Sequence, residues 1–177
     1  MLSSAAGGRL REVPSMQWLF PWLLFLHVLA AVIAFGPTYS FSLIGGMAGG
    51  EPQHANFATR LTELITNRLV IPVALTMPVT GVAIILVNGI NLAAAQYRWL
   101  GVAIVVYVVI VSYAILVQRR TVERLVELTS APPPPGASGP PPEVPAVVRR
   151  IQLGGMFMGA GIVLILFLMV VKPGYGG

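Results

Sequence analysis

The sequence predicts an all-α membrane protein, a four-transmembrane-helix bundle, from its composition, its hydropathy and the lengths of its apolar stretches. Hydrophobic residues make up 56% of the 177-residue chain and charged residues only 10%. A soluble domain carries about 25% charged residues, and a disordered chain combines low hydrophobicity with high charge. The mean hydropathy of +0.82 excludes both classes. The absence of cysteine excludes a disulfide scaffold and a thiolate metal site.

Four apolar stretches have the length that a membrane span requires. A hydrocarbon core about 30 Å thick takes roughly 20 helical residues. Backbone groups in lipid must bond within their own segment, so these stretches are helices. The first contains the pair Gly36-Pro37, which predicts a kink because proline removes a backbone donor. The predicted spans cover residues of about 18–44, 69–87, 99–117 and 151–171.

An amphipathic interfacial helix is predicted between helices 1 and 2. Within residues 53–68, Phe57, Leu61, Leu64 and Ile65 recur at helical spacing. Such a segment lies on the membrane surface when its polar face meets water and its apolar face meets lipid. A simple extension of the second span fits the same pattern, and the sequence leaves both interpretations open.

The remaining connections set the domain boundaries. Residues 88–96 are short and uncharged, which predicts a tight hairpin between the second and third spans. Residues 131–145 form a proline-rich linker, which is expected to be extended because proline disfavours helix and sheet. Residues 1–15 are read as an N-terminal tail, with Met16 as an alternative start, and residues 16–175 as a single transmembrane domain.

The basic residues predict the orientation in the membrane, because Lys and Arg near span ends favour the cytoplasm. This bias places the proline-rich loop in the cytoplasm and both termini outside, in a bacterial inner membrane. The positive charge then reflects topology and contact with anionic lipid, and no nucleic-acid surface is predicted. Trp18, Trp22 and Trp99 are predicted to form an outer interfacial belt. The basic residues on the predicted cytoplasmic side are Arg60, Arg68, Arg119, Arg120, Arg124, Arg149 and Arg150. Those on the opposite side are Arg9, Arg11, Arg98 and Lys172.

His27 is the one ionisable residue that lies clearly inside a predicted span. The chain has no aspartate, and its six glutamates fall outside the spans. An ionisable residue in the membrane is a functional hypothesis by default. At 1.5 Å per residue, His27 lies about 14 Å below the outer face. Tyr107, Thr76 and Thr80 come out at similar depths, with Met77 beside the threonines, so these residues form a candidate midplane pocket.

Three hypotheses for His27 follow from the residue types. Its ring nitrogens could bond a neighbouring helix and hold the bundle together. It could be an axial ligand of haem b, with Met77 as partner, since histidine and methionine are a known axial pair. It could bind copper together with methionine sulfurs. Pro78 adds a polar feature at this depth, because it cannot donate to the carbonyl of Ala74.

The fourth span carries a glycine motif that favours close helix packing. Gly155 and Gly159 are spaced as GxxxG, which lets two helix backbones approach closely. One interpretation is packing within the bundle. The other is a homo-oligomer or a membrane partner that packs against these two glycines.

Three runs of the sequence resemble a bacterial family of predicted integral membrane proteins, domain of unknown function family 2269. The runs are WLLFLHVLAAVIAFGPTYSFSLIGG, VIPVALTMPVTGVAIIL and GGMFMGAGIVLILFLMVVKPG. More distantly, Leu26-His27 followed by Pro72, Thr76 and Gly81 resembles the four-helix, haem-containing protoporphyrinogen oxidase family. The outline is also similar to copper-resistance-type membrane proteins. The oxidase resemblance implies that His27 is a haem ligand.

The leading functional hypothesis is an integral membrane protein that binds haem b through His27 for electron transfer or porphyrinogen oxidation. A first alternative is a non-catalytic membrane subunit or adaptor that packs through the glycine-rich fourth helix. A second is a small transporter or copper-handling module, although the lack of intramembrane acids argues against an ion-coupled transporter. The sequence leaves open whether the protein is an enzyme.

Overall fold

The computed structural model describes residues 16–130 and 141–174, and the described chain is helical with no strand. This confirms the predicted all-α class. The predicted tail 1–15 and most of the predicted linker, residues 131–140, lie outside the described residues. The helices are α1 (Phe20–Gly50), α2 (Ala55–Ile65), α3 (Ile71–Val87), α4 (Arg98–Tyr113), α5 (Arg119–Ser130) and α6 (Val144–Val171).

Two π-helical segments join these elements into four long helices. Thr66–Val70 connects α2 to α3, and Ala114–Gln118 connects α4 to α5. The amphipathic segment α2 is therefore continuous with the second span, which is one of the two interpretations that the sequence leaves open. Four helices in the described chain are long and apolar enough to cross a membrane, as predicted. They are Met16–Gly50, Ala55–Val87, Ala95–Ser130 and Val144–Val171.

The long helices extend beyond the predicted spans. They contain 28 to 36 residues, or about 42 to 54 Å at 1.5 Å per residue, against a hydrocarbon core of about 30 Å. α1 continues through Pro37 without interruption to Gly50. α6 begins seven residues before the predicted span, with Pro145 in its first turn. Proline is tolerated there because the first backbone N–H groups of a helix have no partner within it.

The helices pack as two pairs, α1 with α3 and α4 with α6. Small residues make the first pair close: Ala30 and Ala34 are the buried residues of α1, and Ala74 is buried in α3. Side chains of this size let helix backbones approach in a membrane, where packing rather than the hydrophobic effect drives association.

The third tryptophan corrects the predicted interfacial belt. Trp18 and Trp22 are exposed, but Trp99 is only 8% exposed and packs with Leu100 and Leu168. The prediction is wrong for Trp99 because depth along a helix does not determine which side faces the bundle. Trp99 stabilises the α4–α6 pair from within.

A polar helical layer extends past the apolar stretches. α2 packs against α5, and the Asn56 amide donates to the hydroxyls of Thr129 and Ser130, each at 3.1 Å. The guanidinium of Arg124 on α5 reaches Glu143, just before α6, at 3.0 Å. These contacts fix the second, third and fourth long helices to one another at this end.

The two π segments lie at the same level of the bundle. From the Asn56–Thr129 hydrogen bond, Asn67 is eleven residues along one helix and Gln118 eleven residues back along the other. A π turn holds one more residue than an α turn. Each of the two antiparallel helices therefore accommodates one extra residue at this level.

Candidate functional site

His27 faces α3 and binds it through a side-chain hydrogen bond. Its Nδ1 lies 2.8 Å from Oγ1 of Thr80, and the Thr80 hydroxyl lies 3.0 Å from the carbonyl oxygen of Met77. A hydroxyl has one proton. When Thr80 donates it to that carbonyl, the imidazole donates from Nδ1, and Nε2 keeps its lone pair. The orientation of His27, which sequence could not provide, is toward the bundle.

Gly81 borders the imidazole of His27. A Cβ built at Gly81 would lie 3.5 Å from Cε1 of the ring, which is ordinary van der Waals contact. The ring of His27 therefore packs against α3 at Gly81, one residue after its hydrogen-bond partner Thr80.

The second polar contact of this region involves the carbonyl freed by Pro78. Proline at position 78 cannot supply the backbone hydrogen bond that the carbonyl of Ala74 would receive. The hydroxyl of Tyr107 on α4 donates to that carbonyl instead. The free acceptor predicted from the sequence is thus filled by one of the predicted pocket residues, and α3 is joined to α4 at this point.

The other two predicted pocket residues differ in their placement. Met77 is 6% exposed and faces the interior. Thr76 is exposed, and its hydroxyl donates to the carbonyl of Val73 at 2.7 Å. The structure therefore brings together His27, Thr80 and Met77 with the Tyr107 contact, and it leaves Thr76 outside this group.

One cavity lies where all four spans meet, and it is small. Its volume is about 50 Å³, whereas small-molecule sites measure about 300–1,000 Å³. Neither His27 nor Met77 lines it. The residues around it are Phe35, Thr38, Val70, Ile71, Ile110, Val111, Ala114, Ile115, Met158 and Ile162.

The surroundings of His27 support an internal haem in one respect and not in another. An Nε2 left free by donation from Nδ1 is favourable, because a metal-binding histidine usually donates from its other nitrogen. A porphyrin also needs a wide slot, and His27 lines neither the 50 Å³ cavity nor a larger groove on α2. The described residues contain no group of three or more His, Cys, Asp or Glu that could hold a metal ion. Haem ligation by His27 and Met77 stays a prediction.

Two of the glycines in α6 are used for packing inside the chain, and they are not the predicted pair. A Cβ at Gly154 would overlap the side chains of Gln118 and Tyr113, and one at Gly161 would overlap Ile110. Among the described residues, a Cβ at Gly155 would meet nothing within 4 Å, and one at Gly159 would meet only Tyr39, at 4.0 Å. The GxxxG pair is therefore open with respect to the described part of the chain.

Two amide side chains in the π segments were missed at the level of the sequence. Gln118 donates from Nε2 to the carbonyl of Ile151 at 3.1 Å, while its buried Oε1 has no partner among the described residues. The buried Oδ1 of Asn67 likewise has none. Their positions could have identified them, because each amide borders an apolar run, where a polar side chain is unfavourable unless it has a structural or functional role.

Comparison with known proteins gives one family and no closer relative. The family described as "Predicted integral membrane protein (DUF2269)" matches residues 21–173. No curated protein and no solved structure matches the chain. The match reaches into all four long helices and confirms the family resemblance predicted from the sequence.

Proposed function

The chain belongs to the DUF2269 family of predicted integral membrane proteins, and from this premise we propose that it is a non-catalytic membrane subunit that assembles with another membrane chain through α6. The family description names no activity, so the proposal rests on how the helices pack. The single observation that carries it is the open GxxxG pair, Gly155 and Gly159.

The open pair supports the proposal because glycine destabilises a helix unless close packing compensates for it. Each glycine costs about 1 kcal/mol relative to alanine in a helix interior. At Gly154 and Gly161 the compensation is the close approach of α4 and the segment that follows it. At Gly155 and Gly159 the described residues make no comparable contact. A second helix that packs closely against these two positions would supply it.

The two glycine pairs lie on different faces of α6. At 100° per residue, the pair Gly155 and Gly159 is centred roughly 130° around the helix from the pair Gly154 and Gly161. Further along the open face, Leu166 is 51% exposed and Val170 is 79% exposed. The open face therefore continues as an apolar surface that lipid or a partner helix covers.

Replacing both open glycines with isoleucine is expected to abolish the assembly. Gly155→Ile with Gly159→Ile places branched side chains where the partner backbone approaches, and close packing is lost. The mass of the protein in mild detergent, measured by light scattering, should fall from that of the assembly to that of a single chain. A co-purified heteromeric partner would be lost in the same step.

Ala160→Ile is the matched control, because Ala160 is exposed but lies outside the open glycine face. It adds similar bulk to the same helix and should leave the assembly intact. A wild-type protein that is a single chain without a partner in native membranes, tested by cross-linking before extraction, would refute the proposal. Equal loss in the control would also refute it.

The orientation of this subunit is part of the proposal. The proline-rich loop lies in the cytoplasm and the termini lie outside, in a bacterial inner membrane. The arginines of α2, α5 and the start of α6 support this arrangement, because positive charge near span ends is retained on the cytoplasmic side. A C-terminal fusion to a phosphatase that is active only outside the cytoplasm should be active. An inactive fusion would reverse the orientation.

Haem b on His27 is the second candidate, favoured by the free Nε2 of that residue. An absorption spectrum of the purified protein, oxidised and then reduced with dithionite, distinguishes it from the subunit proposal. A Soret band that is lost in His27→Ala would establish a haem protein. A featureless spectrum after expression with ample haem would leave His27 with the packing role that its bond to Thr80 supports.

A further inference from the structure

A groove on the outer side of α2 contains two arginines that have no ionic partner. The groove has a volume of about 490 Å³, and Arg60 and Arg68 stand toward its two ends. Neither forms an ion pair within the described residues, whereas Arg119 and Arg124 on α5 are paired with glutamates. The one acidic residue in the groove is Glu63, so its net charge is positive. This charge is complementary to an anion.

The arginine type makes a phosphate group the best match. A guanidinium presents a planar set of donors that binds phosphate oxygens in pairs, and it is always charged. Arg60 and Arg68 are separated by about 12 Å along the helix axis. Both are exposed, and their long side chains can turn toward a group held between them.

Exposed apolar side chains beyond Arg68 indicate that the phosphate belongs to a lipid. The groove ends at Arg68, immediately before the apolar run of α3. On that side, Leu69 is 41% exposed and Leu75 is 52% exposed. A free phosphate would leave these side chains uncovered, whereas the acyl chains of a lipid held at Arg68 would cover them.

Asn67 adds an unpaired hydrogen-bond acceptor beside the arginines. Its side chain lines the groove, and its Oδ1 is turned away from solvent without a partner among the described residues. A buried acceptor without a donor is unfavourable. The residue lies in the π segment Thr66–Val70, and π turns are frequent at functional sites. Rotation of the amide toward the groove would let a headgroup hydroxyl next to the phosphate donate to Oδ1.

We propose that this groove is a binding site for an anionic phospholipid whose headgroup carries hydroxyl donors, such as phosphatidylglycerol. The phosphate lies between Arg60 and Arg68, the Asn67 amide turns to accept from a headgroup hydroxyl, and the acyl chains extend past Arg68 over Leu69 and Leu75. This site is separate from the α6 face and does not depend on the proposed assembly.

The test measures lipid binding to the full-length protein in detergent by native mass spectrometry, with phosphatidylglycerol and phosphatidylcholine as probes. The wild type should prefer phosphatidylglycerol. Arg60→Gln with Arg68→Gln should weaken its binding about thirtyfold, at roughly fivefold for each arginine near the membrane surface. Binding of phosphatidylcholine should change little. Both arginines are exposed, so the variant should keep its helical circular dichroism.

The matched control is Arg120→Gln with Arg149→Gln, which removes the same charge from exposed arginines outside the groove. It should keep the preference for phosphatidylglycerol. Equal weakening in the control would overturn the proposal in favour of a general charge effect. Competition by soluble glycerol phosphate at the concentration of the lipid would overturn the lipid source and indicate a free phosphate site. Equal binding of the two lipids by the wild type would overturn the site itself.

Discussion

Gly161→Ala is expected to lower the free energy of unfolding by about 1–3 kcal/mol, the usual cost of an added methyl in a tightly packed core. The new Cβ would overlap two side-chain carbons of Ile110, which is itself only 5% exposed between α4 and α6. Ile110 also lines the 50 Å³ cavity, so its side chain can turn partly into that space, which places the expected loss toward the lower end of this range. Unfolding of the detergent-purified protein in a titration with sodium dodecyl sulfate measures the loss.

A complementary change on α4 should restore part of that loss. Ile110→Ala alone should cost about 2–5 kcal/mol because it leaves a cavity. Combined with Gly161→Ala it should cost less than the sum, since each change relieves the other. Gly101→Ala on α4 is the matched control, because a Cβ there meets nothing within 4 Å among the described residues and Gly101 lies outside the proposed assembly face. Strict additivity of the Gly161 and Ile110 changes would contradict the described contact.

Tyr107→Phe is also expected to lower the free energy of unfolding, because it removes the hydroxyl that donates to the carbonyl of Ala74. The loss should lie between about 0.6 kcal/mol, the average measured for hydrogen bonds within a membrane protein, and about 3 kcal/mol for a buried group left unpaired. The ring remains in place, so packing changes little. The same detergent unfolding assay measures the effect.

The background Pro78→Ala tests the cause of that loss. Alanine at position 78 regains the backbone N–H that can donate to the carbonyl of Ala74. In this background Tyr107→Phe should have almost no effect on stability. If Tyr107→Phe costs the same with proline or alanine at position 78, the hydroxyl acts on something other than the carbonyl that proline leaves free.

The axial positions of residues could be predicted from the sequence, and their directions around the helix could not. Counting residues placed His27 and Thr80 at one depth, and they are hydrogen-bonded. Counting also gave a depth for Thr76 and put Trp99 at the end of its span, but it did not show that Thr76 faces outward and Trp99 inward. A membrane span has apolar residues on its lipid face and its interior face alike, so hydropathy carries little information about rotation.

For a related reason, the sequence could not predict which glycines of α6 pack inside the chain or where the π turns lie. Gly154, Gly155, Gly159 and Gly161 all stand in one apolar run, and only the neighbouring helices decide which of them are filled. The π segments have no proline or glycine to mark them. The orphan carbonyl of Ala74 could be predicted because proline changes the backbone chemistry itself.

The matched π segments have a consequence for how the length of this chain can change. The second and third long helices are joined on one side of these segments by Asn56 and Thr129, and on the other by Ala74 and Tyr107. Deletion of one residue from Thr66–Val70 would convert its π turn into an α turn, which holds one residue fewer, and both bonds would keep their partners. The same deletion in regular α-helix between Asn56 and Ala74 would turn one end of the helix by about 100° against the other, and one of the two bonds would be lost. Each π segment is therefore the place in its helix where one residue can be removed without moving the contacts on either side.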